Sequence, residues 1–117
     1  MTVLTVYTLK TCDSCKKAIK WLDAEGIAYE NRDVRADGLD AATLANIIAA
    51  AGVDKAVNKR STTWKGLNEE ARGALNADTA VTLIAANPTL LKRPAFVIGD
   101  RAAVGFDAAS QAFAKNA

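Results

Sequence analysis

The stretch VLTVYTLKTCDSC, residues 3–15, joins an alternating apolar segment to a pair of cysteines. In residues 3–8 apolar side chains alternate with threonines, which is the period of a half-buried β-strand. From Ser14 onward the period becomes helical, with apolar positions at Cys15, Ala18, Ile19 and Leu22. Both cysteines are therefore predicted to lie at the junction between a first strand and a first helix.

A second strand is predicted after this helix. Gly26 is a helix stop signal, and residues 27–33 follow it as a short strand. Two strands joined by a helix form a βαβ unit, in which the strands run parallel. The first third of the chain is thus predicted to place the cysteine turn at the end of a parallel strand pair.

The middle of the chain, at about residues 36–92, is predicted to be a helical insertion. Its expected parts are a helix from residue 39 to Gly52, a helical turn at 54–57, a loop at 59–66, a helix at 68–75 capped by Asn68, and a helix capped by Asp78 that ends near Pro88. Strand signals return only after this segment.

The end of the chain is predicted to be a hairpin followed by a helix. Residues 95–98 and 101–104 are strand-like, and Gly99-Asp100 between them is a turn signal. Asp107 is a suitable N-cap for a final helix. The chain therefore has the order βαβ, helical insertion, ββα, and we expect one α/β domain over residues 1–117.

Composition limits the functions that are open to the chain. It has 117 residues, of which 50% are hydrophobic and 24% charged, with a net charge of +2. This balance excludes a mainly disordered chain and gives no basic stripe for nucleic acid. No stretch reaches the ~18 apolar residues of a membrane span, and the first residues lack the basic leader of a signal peptide. We therefore expect a cytoplasmic protein without a membrane or nucleic-acid partner.

The chain contains no histidine and only two cysteines. The absence of histidine excludes Ser-His-Asp triads, Cys-His dyads and histidine metal ligands. Paired cysteines in an apparently cytosolic chain indicate redox or metal chemistry rather than a secreted disulfide scaffold. Zinc needs four ligands, so a metal site requires a dimer that shares its cysteines. We expect no metal.

The spacing Cys12-Asp13-Ser14-Cys15 at a helix start predicts thiol chemistry. A helix N-terminus offers unpaired N–H groups and about half a positive charge, which stabilise a thiolate. Cys12 is the expected nucleophile, and Cys15 is the expected resolving thiol that attacks a mixed disulfide on Cys12. Lys10 supplies a nearby cation. The alternative is that both cysteines are small buried residues near a helix start.

Two arginines are candidates for binding an anionic substrate. Arg93-Pro94 directly precedes the third strand, and in a thioredoxin-like order Pro94 is cis and faces the cysteine turn. Arg93 would then direct a guanidinium, which matches oxyanions, toward the thiolate. Arg60 lies in a loop of cations, hydroxyls and an aromatic residue. Taken without the fold, both arginines are better explained as solvated loop residues, and the expected fold shifts the balance toward a functional role for Arg93.

Several motifs together resemble the ArsC/Spx family, and in particular its YffB-like branch. They are the cysteine turn after strand one, Arg60 with Thr62-Thr63-Trp64, Lys92-Arg93-Pro94 and Val104-Gly105-Phe106, in that order along nearly the whole chain. The resemblance implies a thioredoxin-like fold with a mixed four-stranded sheet, a helical insertion and a cis-Pro94.

The resemblance also implies an activity. In arsenate reductases of this type a cysteine, here Cys12, attacks arsenate, glutathione attacks the adduct, and a glutaredoxin regenerates the enzyme. Arg60 and Arg93 match two of three oxyanion-binding arginines, whereas the third falls near Gly105, where this chain has none. YffB-like proteins are regarded as glutathione-dependent thiol reductases, which fits this chain better than arsenate reduction does.

We therefore expect a thiol–disulfide reductase with no bound cofactor, glutathione as co-substrate and a glutathionylated or disulfide substrate. The expected substrate-binding residues are Lys10, Thr11, Arg60, Arg93 and Pro94. Two alternatives stay open. The CxxC spacing is also that of Spx regulators, which use it as a redox switch and bind RNA polymerase. Arsenate reduction is the other, although the missing arginine disfavours it.

Overall fold

A computed structural model describes residues 3–10 and 12–116. Its elements in chain order are β1 (Leu4–Thr8), α1 (Asp13–Ala24), β2 (Tyr29–Asp33), α2 (Ala41–Ala51), α3 (Val53–Ala56), α4 (Thr62–Lys65), α5 (Glu69–Gly73), α6 (Ala77–Ala86), a 3-10 turn (Pro88–Leu90), β3 (Ala95–Ile98), β4 (Arg101–Val104) and α7 (Ala108–Lys115). The predicted order βαβ, helical insertion, ββα is confirmed.

The strands form one mixed sheet in the order β2-β1-β3-β4. β1 runs parallel to β2 and antiparallel to β3, and β3 and β4 form an antiparallel hairpin. The peptide bond between Arg93 and Pro94 is cis, as predicted. This arrangement is the thioredoxin-like fold that the motifs implied.

Helices cover the sheet on both faces and create two apolar cores. On one face Leu4, Val6 and Phe96 of the sheet pack against Ala18 and Leu22 of α1 and against α7. On the other face the insertion supplies the cover; its core side chains include Leu44, Ile47, Ile48, Ala80 and Ile84. The alternation along β1 explains this division, since successive side chains of a strand point to opposite faces. The ends of β1 and β3 that face the cysteine turn are thereby fixed from both sides.

Two expectations for the insertion are wrong. Residues 59–66 were expected to form a loop, but they contain the one-turn helix α4, whose Trp64 N–H is capped by the Ser61 hydroxyl at 3.1 Å. A single turn is too short to show an apolar period. The later helix, α6, is capped by Asn76 rather than by Asp78, because Asn76 and Thr79 exchange the two hydrogen bonds of a capping box.

Other boundaries differ by one or two residues. Helix α1 begins at Asp13 with Cys12 as its N-cap, one residue before the predicted start. Strand β2 begins at Tyr29, since the Ile27 N–H still bonds the Leu22 carbonyl at the end of α1. The predicted N-caps Asn68 and Asp107 are confirmed. Within residues 3–10 and 12–116, no helix combines the length and the apolar character needed to span a bilayer.

Candidate active site

The Cys12 thiol lies where β1 ends and α1 begins. The Cys12 N–H donates to the Leu9 carbonyl at 3.0 Å, and its own carbonyl accepts from the Lys16 N–H at 3.1 Å. Cys12 is the N-cap residue, yet its side chain caps no backbone N–H. The thiol is half-buried and unbridged. It is thus free to react, next to the positive end of a helix of twelve residues.

Cys15 lies one turn further along α1 and is 2% exposed. The pKa of its thiol is raised from 9.0 to about 12, mainly by burial and also by the neighbouring Cys12 side chain, while the Leu9 backbone and the charge of Arg93 act in the opposite direction. The structure therefore places Cys15 beside Cys12, as a resolving thiol requires. It also keeps Cys15 protonated at neutral pH, which makes it a weak nucleophile.

Strand pairing brings Arg93 to the cysteine turn. In the antiparallel pair of β1 and β3, Ala95 lies opposite Tyr7, so the turn that contains Arg93 and Pro94 adjoins the end of β1. The Nε and Nη1 atoms of Arg93 are buried and have no hydrogen-bond partner in the described structure. A buried donor without a partner is costly, and a bound carboxylate or oxyanion would satisfy a guanidinium with two parallel bonds.

Lys92 is a neighbouring cation that we did not select from the sequence. A Cβ added to Gly105 would lie 3.5 Å from Lys92 Cε and 4.0 Å from its Cγ, so the lysine stem lies over this glycine. The Gly105 N–H donates to the Pro94 carbonyl at 2.8 Å. The sequence contained one hint, since Lys92 directly precedes Arg93. Its position over Gly105, where the family's third arginine was expected, results from tertiary packing.

Arg60 is exposed. The chain before it is joined to the segment before Arg93 by an antiparallel bridge between Val57 and Leu91. A role for Arg60 in substrate binding stays a prediction.

Lys10 is exposed at the end of β1 and lies toward β2. The pKa of Asp33 is held below its usual value mainly by the N–H groups of Ala36 and Arg35, and the backbone and charge of Lys10 contribute in the same direction. Thr11, the remaining predicted site residue, lies outside the described residues. In the part of the chain that the structure covers, no three Cys, Asp or Glu side chains could hold a metal ion.

Comparisons with known proteins extend the similarity over nearly the whole chain. The sequence model of the ArsC family matches residues 7–112. An uncharacterized protein of Haemophilus influenzae is 44% identical over 105 residues, which cover 90% of this chain and 92% of the relative. The global transcriptional regulator Spx of Listeria innocua is 32% identical over 107 residues, covering 90% of this chain and 81% of the regulator.

A solved structure of a YffB protein shows the same architecture. Its TM-score is 0.87 at 35% identity, and the alignment covers 96% of this chain and 98% of that protein. The insertion is included in this coverage, so the likeness is not confined to the strands and the cysteine turn. The fold, including the helical insertion, is therefore shared with this protein.

Proposed function

Because the chain belongs to the ArsC family, we propose that it is a cytoplasmic thiol–disulfide reductase that uses Cys12 as nucleophile and glutathione as co-substrate. One observation carries the proposal: a half-buried thiol lies at a helix N-terminus, and the adjoining turn contains a guanidinium whose buried nitrogens have no partner in the described structure. Such a guanidinium suits a carboxylate of a bound peptide thiol.

The reaction consists of two thiol–disulfide exchanges. The Cys12 thiolate attacks the glutathione sulfur of a mixed disulfide, forms a bond to it and releases the substrate thiolate, which takes up a proton. A second glutathione thiolate then attacks the glutathione sulfur held on Cys12. This step releases oxidised glutathione and restores Cys12. In sum, the mixed disulfide and one free glutathione give the substrate thiol and oxidised glutathione, so one disulfide bond is broken and one is formed.

Glutathione is a better resolving thiol than Cys15 in this site. A thiol with a pKa of about 12 contributes almost no thiolate at neutral pH. Glutathione or a glutaredoxin supplies an exposed thiol without this burial. Cys15 then has a protective role: when glutathione is scarce, it slowly attacks the Cys12 sulfur of the mixed disulfide, forms an internal disulfide and releases glutathione.

Three groups near Cys12 bind different parts of the peptide substrate. Arg93 holds a peptide carboxylate in a bidentate pair, and Lys92 adds a point charge beside it. The backbone next to Pro94 pairs with an extended tripeptide, as open strand edges do. These contacts fix the disulfide in line with the Cys12 sulfur, which is the geometry that exchange needs.

The proposal is tested by turnover of a glutathionylated peptide, with oxidised glutathione measured through glutathione reductase. We expect Cys12→Ser to abolish turnover, because no thiolate remains to attack. The matched control is Ser14→Ala in the same turn, which should retain activity. We expect Cys15→Ser to retain most activity; its loss would instead indicate a dithiol mechanism. Full activity of Cys12→Ser would disprove the proposal.

A second candidate function is an Spx-like redox switch that binds RNA polymerase. The observation in its favour is the similarity to the Listeria regulator together with the CxxC pair. The measurement is a pull-down of RNA polymerase with oxidised and with reduced protein. Binding in one redox state would support the regulator, and no binding in either state would exclude it.

Arsenate reduction is a weaker candidate. The position over Gly105 is taken by the stem of Lys92 and not by a guanidinium. An ammonium cannot form the bidentate bonds that suit a planar pair of oxyanion oxygens. We therefore expect little arsenate-dependent consumption of reducing equivalents in the assay described above.

A further inference from the structure

The Arg93 guanidinium lies close to the sulfur atoms of the cysteine turn. The register of β1 and β3, continued two residues beyond Ala95, brings Arg93 opposite Leu9. The Leu9 carbonyl in turn accepts from the Cys12 N–H at 3.0 Å. Burial is the main cause that raises the pKa of Cys15, and the charge of Arg93 is one of the two influences that lower it. The guanidinium is thus within electrostatic range of the two thiols.

No carboxylate of the described chain forms an ion pair with this guanidinium. Nε and Nη1 of Arg93 are buried and have no hydrogen-bond partner there. The ion pairs within residues 3–10 and 12–116 join other cations to carboxylates, and none includes Arg93 or Lys92. Asp13, which follows Cys12 in the chain, is exposed and takes part in none of them either. The site therefore offers unpaired cations next to a thiol.

The position of these cations favours an anionic group that is bonded to the attacked sulfur itself. In glutathione the carboxylates are several bonds away from the sulfur, and their distance from it varies with the conformation of the peptide. In an S-sulfonate, R–S–SO₃⁻, the oxygens lie one atom beyond the divalent sulfur, at a fixed distance. Binding of the sulfonate by Arg93 therefore also positions the sulfur that Cys12 attacks.

We propose that the site reduces S-sulfonates of thiols, with Arg93 and Lys92 holding the sulfonate while the Cys12 thiolate attacks the divalent sulfur; this inference rests on the proposed role of Cys12 as nucleophile. Two sulfonate oxygens suit the N–H donors of a guanidinium, and the third suits an ammonium. An S-sulfonate carries a single negative charge, which an arginine and a lysine can balance. Arsenate offers a further oxygen, for which the position over Gly105 holds no guanidinium.

The first step transfers the organic thiol fragment of the substrate to Cys12. The Cys12 thiolate forms a bond to the divalent sulfur, the bond between that sulfur and the sulfonate sulfur breaks, and its electron pair leaves with sulfite, which takes up a proton. A glutathione thiolate then attacks the sulfur of the fragment, releases a mixed disulfide and restores the Cys12 thiolate. In sum, R–S–SO₃⁻ and glutathione give R–S–SG and hydrogen sulfite.

The cations favour this reaction because negative charge builds up where they lie. The sulfonate carries one negative charge when it binds and two when it departs as sulfite. Arg93 and Lys92 therefore attract the transition state more strongly than the bound substrate, which is the condition for a faster reaction. Once sulfite has left, Arg93 is open to a carboxylate of the incoming glutathione, as in the reaction proposed above.

The test follows the first step alone, without glutathione, in the full chain with Cys15→Ser, so that the fragment stays on Cys12. One probe is S-hydroxyethyl thiosulfate, whose only charged group is the sulfonate. The matched probe is bis(hydroxyethyl) disulfide, which is neutral. Both probes leave the same hydroxyethylthio fragment on Cys12. Mass spectrometry of the protein gives the two rates, and ion chromatography measures the sulfite released.

The preference of Cys12 for the charged probe is the first readout. N-acetylcysteine amide, a neutral thiol without neighbouring cations, gives the intrinsic ratio of the two rates. We expect the ratio for the protein to exceed this intrinsic ratio at least about tenfold, with sulfite released in the same amount as fragment bound. Equal ratios for the protein and the small thiol would overturn the inference. This readout keeps Arg93 and Lys92 in place, so it does not depend on the folding of their variants.

Variants then assign the preference to the two cations. We expect Arg93→Gln to lower the rate with the charged probe about hundredfold, as for the loss of one oxyanion donor, and the rate with the neutral disulfide less than about fivefold. Lys92→Met should lower the charged-probe rate about fivefold. The matched control is Arg35→Gln, which removes an exposed guanidinium after β2 and should leave both rates unchanged. A preference that survives in Arg93→Gln, or that is lost equally in Arg35→Gln, would overturn the inference.

The same measurements separate this inference from the proposed function. A preference for the S-sulfonate in a protein that does not turn over a glutathionylated peptide would support the inference and contradict glutathione-dependent disulfide reduction. Turnover of the glutathionylated peptide without this preference would overturn the inference alone. If neither probe leaves a fragment on Cys12, then Cys12 is not the nucleophile and both proposals fail.

Discussion

At the scale of single residues, the site depends on groups that meet through the sheet. Cys12 and Cys15 could be selected from their spacing alone, because a helix start is visible in the sequence period. Arg93 could be selected only with a fold in mind, since its approach to the cysteines depends on the pairing of Ala95 with Tyr7. Lys92 could not be selected, because its packing over Gly105 joins two separate turns.

The charge of Lys92 can be tested without disturbing its packing. Lys92→Met keeps an unbranched stem over Gly105 and removes the ammonium. We expect KM for a glutathionylated peptide to rise about two- to fivefold with kcat unchanged, the range for one partly screened charge. Steady-state kinetics give both constants. Lys65→Met is the control, and an equal rise in KM there would contradict a specific role for Lys92.

At the scale of elements, regular periods were predictable and the single-turn helix α4 was not. The strands and α1 are long enough to show their apolar period, and their order was predicted. Helix α4 has only four residues, so its cap at Ser61 left no pattern to find. For α6 the signal was present in the sequence. Thr79 follows Asn76 by three positions, and the two residues form a capping box. Val81, three positions after Asp78, has no side-chain oxygen that could complete a capping box with Asp78.

The cap of α6 is therefore open to a direct test. We expect Asn76→Ala to lower the free energy of unfolding by about 1 kcal/mol, because it removes an N-cap acceptor. Asp78→Ala should lower the free energy of unfolding by at most a few tenths of a kcal/mol, since Asp78 has only a helix-dipole interaction to lose. Urea denaturation measures both variants. A larger loss of stability for Asp78→Ala than for Asn76→Ala would instead identify Asp78 as the N-cap of α6.

At the scale of the whole molecule, burial of Cys15 links the active-site turn to folding. Its thiol ionises near 9.0 without burial and at about 12 in the folded protein. Between these values the unfolded chain releases the proton and the folded chain retains it. The stability that comes from this retained proton is complete below about pH 9 and is lost as the pH rises toward 12.

This linkage predicts a difference between two variants. In a Cys12→Ser background, which prevents disulfide formation, the free energy of unfolding should fall more steeply from pH 9 to pH 12 with Cys15 than with Cys15→Ala. The excess slope is at most about 1.4 kcal/mol per pH unit, the limit for one proton. Urea unfolding at several pH values measures it. Parallel curves for the two variants would contradict the linkage.

The bridge between Val57 and Leu91 has a consequence for how this protein can be dissected. The Asn58 N–H bonds the Leu90 carbonyl and the Lys92 N–H bonds the Ala56 carbonyl, each at 2.7 Å. These hydrogen bonds within the insertion thus fix the segment that leads into Arg93 and β3. A shortened chain without residues 36–92 would lose that hold together with one of its two cores. The insertion therefore supports the candidate site, and we expect a chain shortened in this way to lose its stable fold.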